Sequence, residues 1–396
     1  MQQIHLTRLD NETLEQCLWR LGSLKKSGTS EITWNHITDF LNDEFNLLHG
    51  ESAYRKKYKR LARAAQVREL EAVYEGDYAA TTRHQLRELE KQRIRVQEER
   101  AAYRQQLRTQ AYSDALLEQL VEAVKAYDPI NLPPVQPEKT ERVLYAMLSD
   151  IHFGLSFSSY YNSYNPEIAS RRVMLYADRI CEKGKECGAS SVCVAILGDL
   201  ISGNIHLPIR LQSRGNAIEQ VVGVSELISA FLLRLAENFS EVVVTDVSGN
   251  HSRLDPNPEH ALRSERLDAL IPWYCQARLS QIKHVRFLDN EVDPTISVIN
   301  ILGKTYVAVH GDFDQDLKSS AVRIAQLIDK KIDYFLAGHM HIADMRIEDV
   351  GFIRNGAVVT GGDEYTSKKR LFGPAAQVCL LCTPNGVEAV YPIVLK

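Results

Sequence analysis

The spacing of apolar residues changes about one third of the way along the chain. Up to residue 127, apolar residues recur every three or four positions, which is the repeat of amphipathic helices. From residue 140 onwards, short apolar or β-branched runs alternate with helical stretches, an order that predicts a layered α/β or α+β sandwich. The predicted strands are Val143–Leu148, Ser191–Leu197, Glu241–Val247, Lys304–Val309 and Asp333–Ala337. The helical stretches between them include Ile168–Cys187, Ala217–Asn238 and Leu317–Lys330.

Residues 1–65 predict a small helical domain. Leu14 to Leu21 carries apolar residues at helical spacing, and a second helix is expected to begin at the capping residue Thr33. A third helix from about Ser52 has a basic face formed by Arg55, Lys56, Lys57, Lys59, Arg60 and Arg63. Two short helices before a basic helix resemble a helix-turn-helix, in which Arg55, Lys56, Lys57, Lys59 and Arg60 contact DNA. A solvated basic face on a small bundle explains the same pattern equally well.

Residues 66–127 are rich in Glu, Arg, Gln, Leu and Ala, and they predict a long helical or coiled-coil arm. A broken heptad is formed by Leu86, Leu89, Val96, Tyr103 and Leu107, with arginines at the intervening positions. An antiparallel hairpin, a dimeric coiled coil and a lone helix packed on the catalytic domain all fit this pattern. A homo-oligomer would therefore form through the N-terminal helical region. Residues 128–139 contain four prolines and predict a linker to a domain at 140–396.

Composition narrows the class of protein. The 396 residues carry a net charge of -4 and are 44% hydrophobic, as expected for a soluble globular protein of two or three domains. Any binding of nucleic acid must therefore come from local basic patches. The absence of a signal-like or membrane-spanning run predicts a cytoplasmic protein without membrane contact. The seven scattered cysteines predict reduced thiols, and the pair Cys379 and Cys382 is expected in the core of a strand.

Polar motifs follow five of the predicted strands. They are Asp150-Ile151-His152, Gly198-Asp199, Gly249-Asn250-His251, His310-Gly311-Asp312 and Gly338-His339-Met340-His341. Ligands of open α/β sheets bind beyond the carboxyl ends of the strands, where all five motifs lie. In extended backbone, residues two apart face the same side, so each D-x-H or H-x-H pair can reach one cation. A carboxylate, amide and imidazole set without cysteine suits Mn²⁺, Fe²⁺ or Zn²⁺ better than Ca²⁺.

The order D-x-H, G-D, G-N-H, H, G-H-x-H resembles the calcineurin-like metallophosphoesterase superfamily across residues 140–396. The turn-like segment 355–365 is similar to the tail of phage and prophage members of that superfamily. The resemblance implies a four-layered β-sandwich flanked by helices and two divalent cations. Mn²⁺ is the first candidate, with Fe²⁺, Zn²⁺ and Mg²⁺ as alternatives. A bacterial or phage-infected cytoplasm is the implied location.

The resemblance also implies a role for each motif residue. One cation would be held by Asp150, His152 and His341, and the other by Asn250, His310 and His339. Asp199 would bridge the two cations, and His251 would contact the phosphate and assist the leaving group. Hydrolysis would then proceed by attack of a metal-bound hydroxide on phosphorus.

Two positions depart from many phosphatases of the superfamily, which carry acids where this chain has Ser202 and Ser252. These departures argue against protein-phosphatase activity. An acid that supports His251 would have to be Asp255 or a more distant residue. Arg253 and His206 are candidate substrate-binding residues, and a structural or solvent-facing role fits each equally well. Asp312 and Asp314 are expected to lie behind the metal ligands or in the loop.

Three functions remain open at this stage. The first is a DNA-processing nuclease similar to the nuclease subunit of the SbcCD complex, because a basic helical domain is joined to the phosphoesterase domain. The second is a phosphodiesterase or phosphatase of small molecules such as cyclic nucleotides. The third is a non-enzymatic DNA-binding protein, which the complete set of metal-ligand residues argues against.

Overall fold

The computed structural model describes residues 6–28, 31–73, 77–125, 130, 132, 140–370 and 372–396. The chain divides into two compact units, Met1–Gln105 and Gln106–Lys396. Nearly all of the predicted proline-rich linker, 128–139, lies outside the described residues. None of the helices within those ranges is long and apolar enough to cross a membrane.

The first unit is helical. Its helices are α1 (Leu14–Lys26), α2 (Trp34–Phe45), α3 (Glu51–Val73) and the first part of α4 (Asp77–Lys125). Capping boxes at Thr13 and Thr33 begin α1 and α2, because each threonine accepts a hydrogen bond from the third backbone N–H of its helix. Tyr54 and Tyr58 point into the core of this unit with Leu18. Both tyrosine side chains are therefore largely buried.

The second unit contains thirteen strands among the described residues. They are β1 (Val143–Leu148), β2 (Phe157–Ser158), β3 (Ser163–Tyr164), β4 (Ser191–Ile196), β5 (Glu241–Asp246), β6 (Val285–Phe287), β7 (Ile296–Ile301), β8 (Lys304–Val309), β9 (Tyr334–Ala337), β10 (Asp344–Ile347), β11 (Gly351–Arg354), β12 (Ala376–Thr383) and β13 (Gly386–Val394). The helices are α5 (Pro166–Cys187), α6 (Leu207–Leu211), α7 (Ala217–Ala236), α8 (Leu270–Arg278), α9 (Leu317–Ile328) and α10 (Glu364–Lys369). All five strands named from the sequence are present, and two have the predicted ends.

Two sheets face each other. One has the order β13-β12-β1-β4-β5-β6 and the other β10-β11-β9-β8-β7. Strands β1, β4, β5 and β6 run parallel, as do β8, β9 and β11. Tyr145 and Met147 of β1 pack between the sheets against Tyr306 of β8 and Leu336 of β9. This alternation buries one face of each strand in the interior of the sandwich.

Helices cover the outer faces of both sheets. The core between α5, α7, α8 and the six-stranded sheet includes Val173, Phe231 and Tyr274. Helix α9 covers the five-stranded sheet through Leu317 and Ile324. The layers are therefore helix, sheet, sheet and helix, which confirms the predicted fold class. The all-α region precedes this unit in the sequence.

Cys379 and Cys382 both lie in β12 and are fully buried. Cys379 packs towards the helices, whereas Cys382 packs between the sheets. Their side chains lie on opposite faces of the strand, so the two thiols do not form one metal or redox site. This placement agrees with the strand-core interpretation of the sequence.

A buried polar network joins the two sheets beside the end of β1. Gln377 accepts hydrogen bonds from Ser149 N (2.9 Å) and from Asn355 Nδ2 (2.8 Å) and donates to the carbonyl oxygen of Gly356 (3.1 Å). All three side chains, Gln377, Asn355 and Ser149, are fully buried. Because Ser149 precedes Asp150, the network fixes the backbone from which the first motif departs.

We expect Gln377→Leu to lower the free energy of unfolding by about 3 kcal/mol, because several buried polar groups lose their partner. Urea titration of the full chain measures the change. Gln281→Leu, at an exposed position, is the matched control and should have little effect. Equal stability of the two variants would contradict the assigned role of the network.

Candidate metal centre

The five motifs converge because of how the sheets are arranged. Strands β1, β4 and β5 are adjacent and parallel, so their carboxyl ends meet at one edge of the first sheet. Strands β8 and β9 are likewise adjacent and parallel in the second sheet. Each motif follows one of these strands directly, and the two sheet edges face each other across the sandwich.

Left-handed backbone directs most of the motif side chains. The φ angles are 53° at Asp150, 47° at His152, 52° at Asp199, 66° at His339 and 57° at His341. The expectation that D-x-H and H-x-H pairs share a face through extended backbone is therefore wrong. The pairs reach one site through sharp turns instead. Such conformations cost non-glycine residues on the order of 1–3 kcal/mol each, so the surrounding structure must hold them.

Backbone hydrogen bonds between the loops hold these turns. Asp150 N donates to the carbonyl oxygen of Gly198 (3.1 Å), and His152 N donates to that of Asp199 (3.0 Å). His339 N donates to Asp150 Oδ2 (3.1 Å). A Cβ atom at Gly249 would lie 2.2 Å from Asp199 N, so only glycine permits this close approach.

The first group of candidate ligands is Asp150, His152 and His341, whose ligand atoms all lie within 4.8 Å of one another. Asp150 Oδ1 is 3.2 Å from His341 Nε2. His152 Nε2 is 3.3 Å from His341 Nε2 and 4.0 Å from Asp150 Oδ1. These three side chains are the set that the sequence assigned to one cation.

The second group contains Asp199, His310 and His339, again within 4.8 Å. His310 Nε2 is 3.3 Å from Asp199 Oδ2 and 3.2 Å from Asn250 Oδ1. Asp199 Oδ2 also lies 3.9 Å from His152 Nε2 in the first group. The structure thus brings together all seven predicted ligands, with Asp199 between the two groups.

The donor atoms fit divalent cations. Asp150 Oδ1 is buried and makes no hydrogen bond of normal geometry among the described residues, although His341 Nε2 lies 3.2 Å away, and such an oxygen is costly unless a cation or proton satisfies it. His310 donates from Nδ1 to the carbonyl oxygen of Leu197 (2.6 Å), so its Nε2 carries the lone pair that binds a metal. Oxygen and imidazole nitrogen donors suit several divalent metals, so the set leaves the identity of the metal open.

Charges within the site shift the pKa of its histidines. Burial alone would lower the pKa of His310, but the Asp199 carboxylate raises it to about 10. Burial likewise opposes the rise in the pKa of His341, which Asp150 produces. Burial keeps the pKa of His152 well below its usual value. In the absence of cations, a proton on His310 therefore neutralises part of the buried carboxylate charge.

His251 lines the cavity, and its ring lies in a third group in which the ligand atoms of His152, Asp199 and His251 are within 4.8 Å of one another. Its backbone N–H donates to Asp199 Oδ1 (2.8 Å), and its ring packs edge-on against His152 at 4.5 Å. Its Nδ1–H donates to the carbonyl oxygen of Ser202 (2.9 Å). The expectation that Asp255 supports His251 is wrong, because Nδ1 of His251 is bonded to the carbonyl oxygen of Ser202. The Asp255 carboxylate instead lies 3.9 Å from Nδ1 of His260.

The two candidate substrate-binding residues differ in position. His206 is exposed, its ring lies 5.5 Å from that of His251, and it lines the cavity at the metal centre. Arg253 is partly buried and does not line that cavity. The charge of Asp312 contributes to the raised pKa of His310. Burial raises the pKa of Asp314.

Sequence reasoning missed Asp268. Its Oδ2 accepts hydrogen bonds from Asp199 N (3.2 Å) and Gly249 N (2.9 Å), so one carboxylate joins two motif loops. Burial raises its pKa to about 7. Arg266 adds a bond from Nη1 to the carbonyl oxygen of Gly249 (2.6 Å). The only sequence signal was an acid in the apolar stretch Leu267–Leu270.

The predicted DNA-binding residues of α3 are not one surface. Arg55 and Lys59 line a groove of about 580 Å³ together with Arg63 and with Lys25 and Lys26 of α1. Lys57 lies 3.1 Å from Glu15 in an ion pair. Lys56 and Arg60 are exposed but do not line the groove.

Comparisons with known proteins find relatives in sequence and in structure. Residues 2–72 match the family of the YonJ N-terminal domain. The chain is 24% identical over 387 residues to the SPbeta prophage-derived uncharacterized protein YonJ of Bacillus subtilis (strain 168), covering 92% of this chain and 91% of that protein. The chain is thus similar to a prophage protein.

Similar solved structures include three distant ones. A novel archaeal phosphodiesterase is 12% identical, with a TM-score of 0.32 over 64% of this chain and 99% of that one. Vps29 of Entamoeba histolytica complexed with Zn²⁺ is 13% identical, with a TM-score of 0.30 over 64% and 99%. A conserved uncharacterized protein of Streptococcus pneumoniae TIGR4 is 11% identical, with a TM-score of 0.27 over 64% and 98%.

We expect Asp268→Ala to weaken Mn²⁺ binding about 10- to 100-fold, because residues that orient metal ligands have effects of this size. Asp268→Asn, which keeps an acceptor oxygen, should lose less. Isothermal titration of the metal-free protein measures both, with Asp255→Ala as control. If Asp268→Ala binds Mn²⁺ like the wild type, the carboxylate does not position the loops.

Loading with metal should release a proton, because His310 must be neutral to bind a cation. Its pKa is raised to about 10, so below that pH the metal-free protein holds the proton and metal affinity rises with pH. We expect the Mn²⁺ affinity to increase by up to about tenfold per pH unit between pH 6 and 9. Calorimetry in two buffers of different ionisation enthalpy counts the protons. Identical heats in both buffers would exclude this coupling.

Proposed function

We propose that this chain hydrolyses phosphoric esters with two divalent cations held at the candidate metal centre. The observation that carries the proposal is the arrangement of seven oxygen and imidazole ligands in two groups, with Asp199 between them. A structural zinc site would be closed by four ligands, often cysteines, whereas this site opens into a cavity of about 260 Å³. His251 lines the same cavity without belonging to the assigned ligand set.

Asp150, His152 and His341 would hold one cation, and Asn250, His310 and His339 the other, with Asp199 shared. Bound cations supply Lewis-acid polarisation of the phosphoryl oxygens and a nucleophile at neutral pH. The chain's own residues orient and transfer protons. Because His251 Nδ1–H is held by the carbonyl oxygen of Ser202, its Nε2 is left for the substrate. When protonated there, His251 donates to a phosphoryl oxygen or to the leaving oxygen.

The substrate that we propose is DNA, which makes the chain a nuclease. The support comes from the first unit, whose groove collects Lys25, Lys26, Arg55, Lys59 and Arg63. Arg55, Lys59 and Arg63 are spaced four residues apart on α3, which sets them about 6 Å apart along one helix face. Cations in such a row match the repeated charges of a phosphodiester backbone. A DNA-binding unit on the same chain raises the DNA concentration at the metal centre.

A small-molecule phosphodiesterase is the second candidate. The cavity at the metal centre supports it, because about 260 Å³ accommodates a small ester and its walls include the apolar side chains of Leu155, Ile209 and Val359. In that case the helical region would serve association with a second copy of the chain.

We expect the Mn²⁺-loaded protein to cleave labelled DNA and a small diester such as bis(p-nitrophenyl) phosphate. Asp199→Ala should abolish both activities, because it removes the ligand common to the two cations. His251→Ala should keep its metal and lose about 10²- to 10⁴-fold in kcat. Gel analysis and absorbance measure the two reactions, with Asp255→Ala as control.

The outcomes separate the candidates. Cleavage of the small diester with all forms of DNA left intact would favour the small-molecule enzyme. Failure to cleave any ester after metal loading would refute the phosphoesterase proposal itself.

A further inference from the structure

A second cavity adjoins the one at the metal centre. The first has a volume of about 260 Å³ and the second about 470 Å³. The two share wall residues, which are Met340, His341, Ile342, Val359 and Thr366. We call the two adjoining cavities the cleft, which includes the metal ligand His341 and offers space beside the centre for a substituent of a phosphoester.

The cleft has apolar walls. Met340 and Ile342 are 52% and 56% exposed, although they flank a candidate metal ligand. Val359 lines both cavities. Large apolar side chains left open beside a polar centre mark a surface that a ligand covers. These apolar walls favour a flat, partly apolar substituent, such as a nucleobase, over a second charged group.

The outer end of the cleft carries aromatic and basic side chains, which we call the lip. Its residues are Tyr160, Tyr161, Lys368, Lys369, Arg370 and Phe372. Tyr160 is 96% exposed, and Tyr161 stacks on Phe372 with ring centroids 4.3 Å apart. Arg370 and Phe372 line the second cavity. Within the described part of the chain, none of the three lip cations has an acidic partner within ion-pair distance.

Two segments hold the lip together. Tyr160 and Tyr161 lie in the turn between β2 and β3. Lys368 and Lys369 are the last residues of α10, and Arg370 comes directly after it. A Cβ at Gly362 would lie 2.6 Å from Ser159 Oγ, so the backbone before α10 packs directly on that turn. Thr366 N and Oγ1 both donate to the Asp363 carboxylate, at 3.1 and 2.5 Å, which fixes the first turn of α10. The lip is thus a supported surface beside the cleft.

We propose that the cleft and lip bind an unpaired nucleic-acid strand, with one nucleotide in the cleft next to the scissile phosphodiester. The following base stacks on Tyr161 and Phe372, and the lip cations contact its phosphates. An unpaired strand offers free base faces to aromatic side chains, whereas the bases of a duplex are already stacked on each other. This inference rests on the proposed phosphodiesterase function and names the form of its substrate.

The test compares kcat/KM for a short labelled single strand with kcat/KM for bis(p-nitrophenyl) phosphate. One variant combines Tyr161→Ala with Phe372→Ala, and a second combines Lys368→Gln, Lys369→Gln and Arg370→Gln. The matched control for the aromatic variant is Trp273→Ala, because Trp273 is an exposed aromatic residue on α8. The control for the charge variant is Lys330→Gln, at an exposed position just after α9. The same sequence as a duplex distinguishes the two forms of nucleic acid.

We expect the aromatic variant to raise KM for the single strand about tenfold, with kcat unchanged, because stacking contributes about 1–3 kcal/mol per base. We expect a similar rise for the charge variant, because it removes contacts with the phosphates. The ratio of strand to small-diester activity should fall accordingly. The charge variant should also show a shallower dependence of strand binding on salt. An unchanged ratio in the lip variants would overturn the proposal. So would a wild type that prefers the duplex, if the lip variants lose duplex cleavage as much as strand cleavage.

Direct binding separates this inference from the proposed function. Fluorescence anisotropy of the labelled strand is measured on Asp199→Ala protein, with and without the lip substitutions. Weaker binding after the lip substitutions supports the inference even if the wild type hydrolyses nothing. Equal binding by both proteins overturns it even if the wild type is an active phosphodiesterase.

Discussion

The site depends on the buried carboxylate of Asp199. It has no lysine or arginine partner within ion-pair distance among the described side chains, and its neighbours are His152, His251 and His310. A buried carboxylate is unfavourable unless positive charge and hydrogen bonds satisfy it. Histidines supply that charge only while protonated, whereas cations would supply it permanently. The same carboxylate therefore organises the loops without metal and makes the site receptive to metal.

The strained backbone of the candidate ligands is held in place by the surrounding sandwich. Five of the candidate ligands have left-handed backbone, and their turns persist because bonds between neighbouring loops over-determine them. Asp268 and Gln377 do this without lining either cavity, Asp268 by accepting hydrogen bonds from Asp199 N and Gly249 N, and Gln377 by accepting one from Ser149 N. A rigid frame of this kind keeps the ligand atoms near one another before any cation binds, which reduces the ordering needed on binding.

Much of this was predictable from sequence, for identifiable reasons. The strands before the motifs are buried on both faces, so they appear as uninterrupted apolar runs whose ends are clear. Edge strands such as β10 lack that signal, because most of their side chains are exposed. The left-handed turns were missed because positive φ is uncommon outside glycine, and the enrichment of Asp and His in that region is too weak to mark a single position. Asp268 was missed because its partners are backbone amides, which leave no residue pattern.

In the proposed nuclease, substrate recognition would be divided between the two units, which a metal centre alone could not achieve. A pair of cations recognises the phosphoryl group, which is identical in every ester, so it confers reaction type without choice of substrate. Choice must come from groups that touch the substituents, and the lip and cleft are the parts of the second unit placed to do so. The groove of the first unit is lined by five cations, and its aromatic residues are Trp34, which is partly buried, and Tyr58, which is 7% exposed. In the proposed nuclease, charge of that kind would hold any phosphodiester backbone and raise affinity without selecting a sequence. Selection between paired and unpaired strands would then fall to the aromatic side chains beside the metal centre.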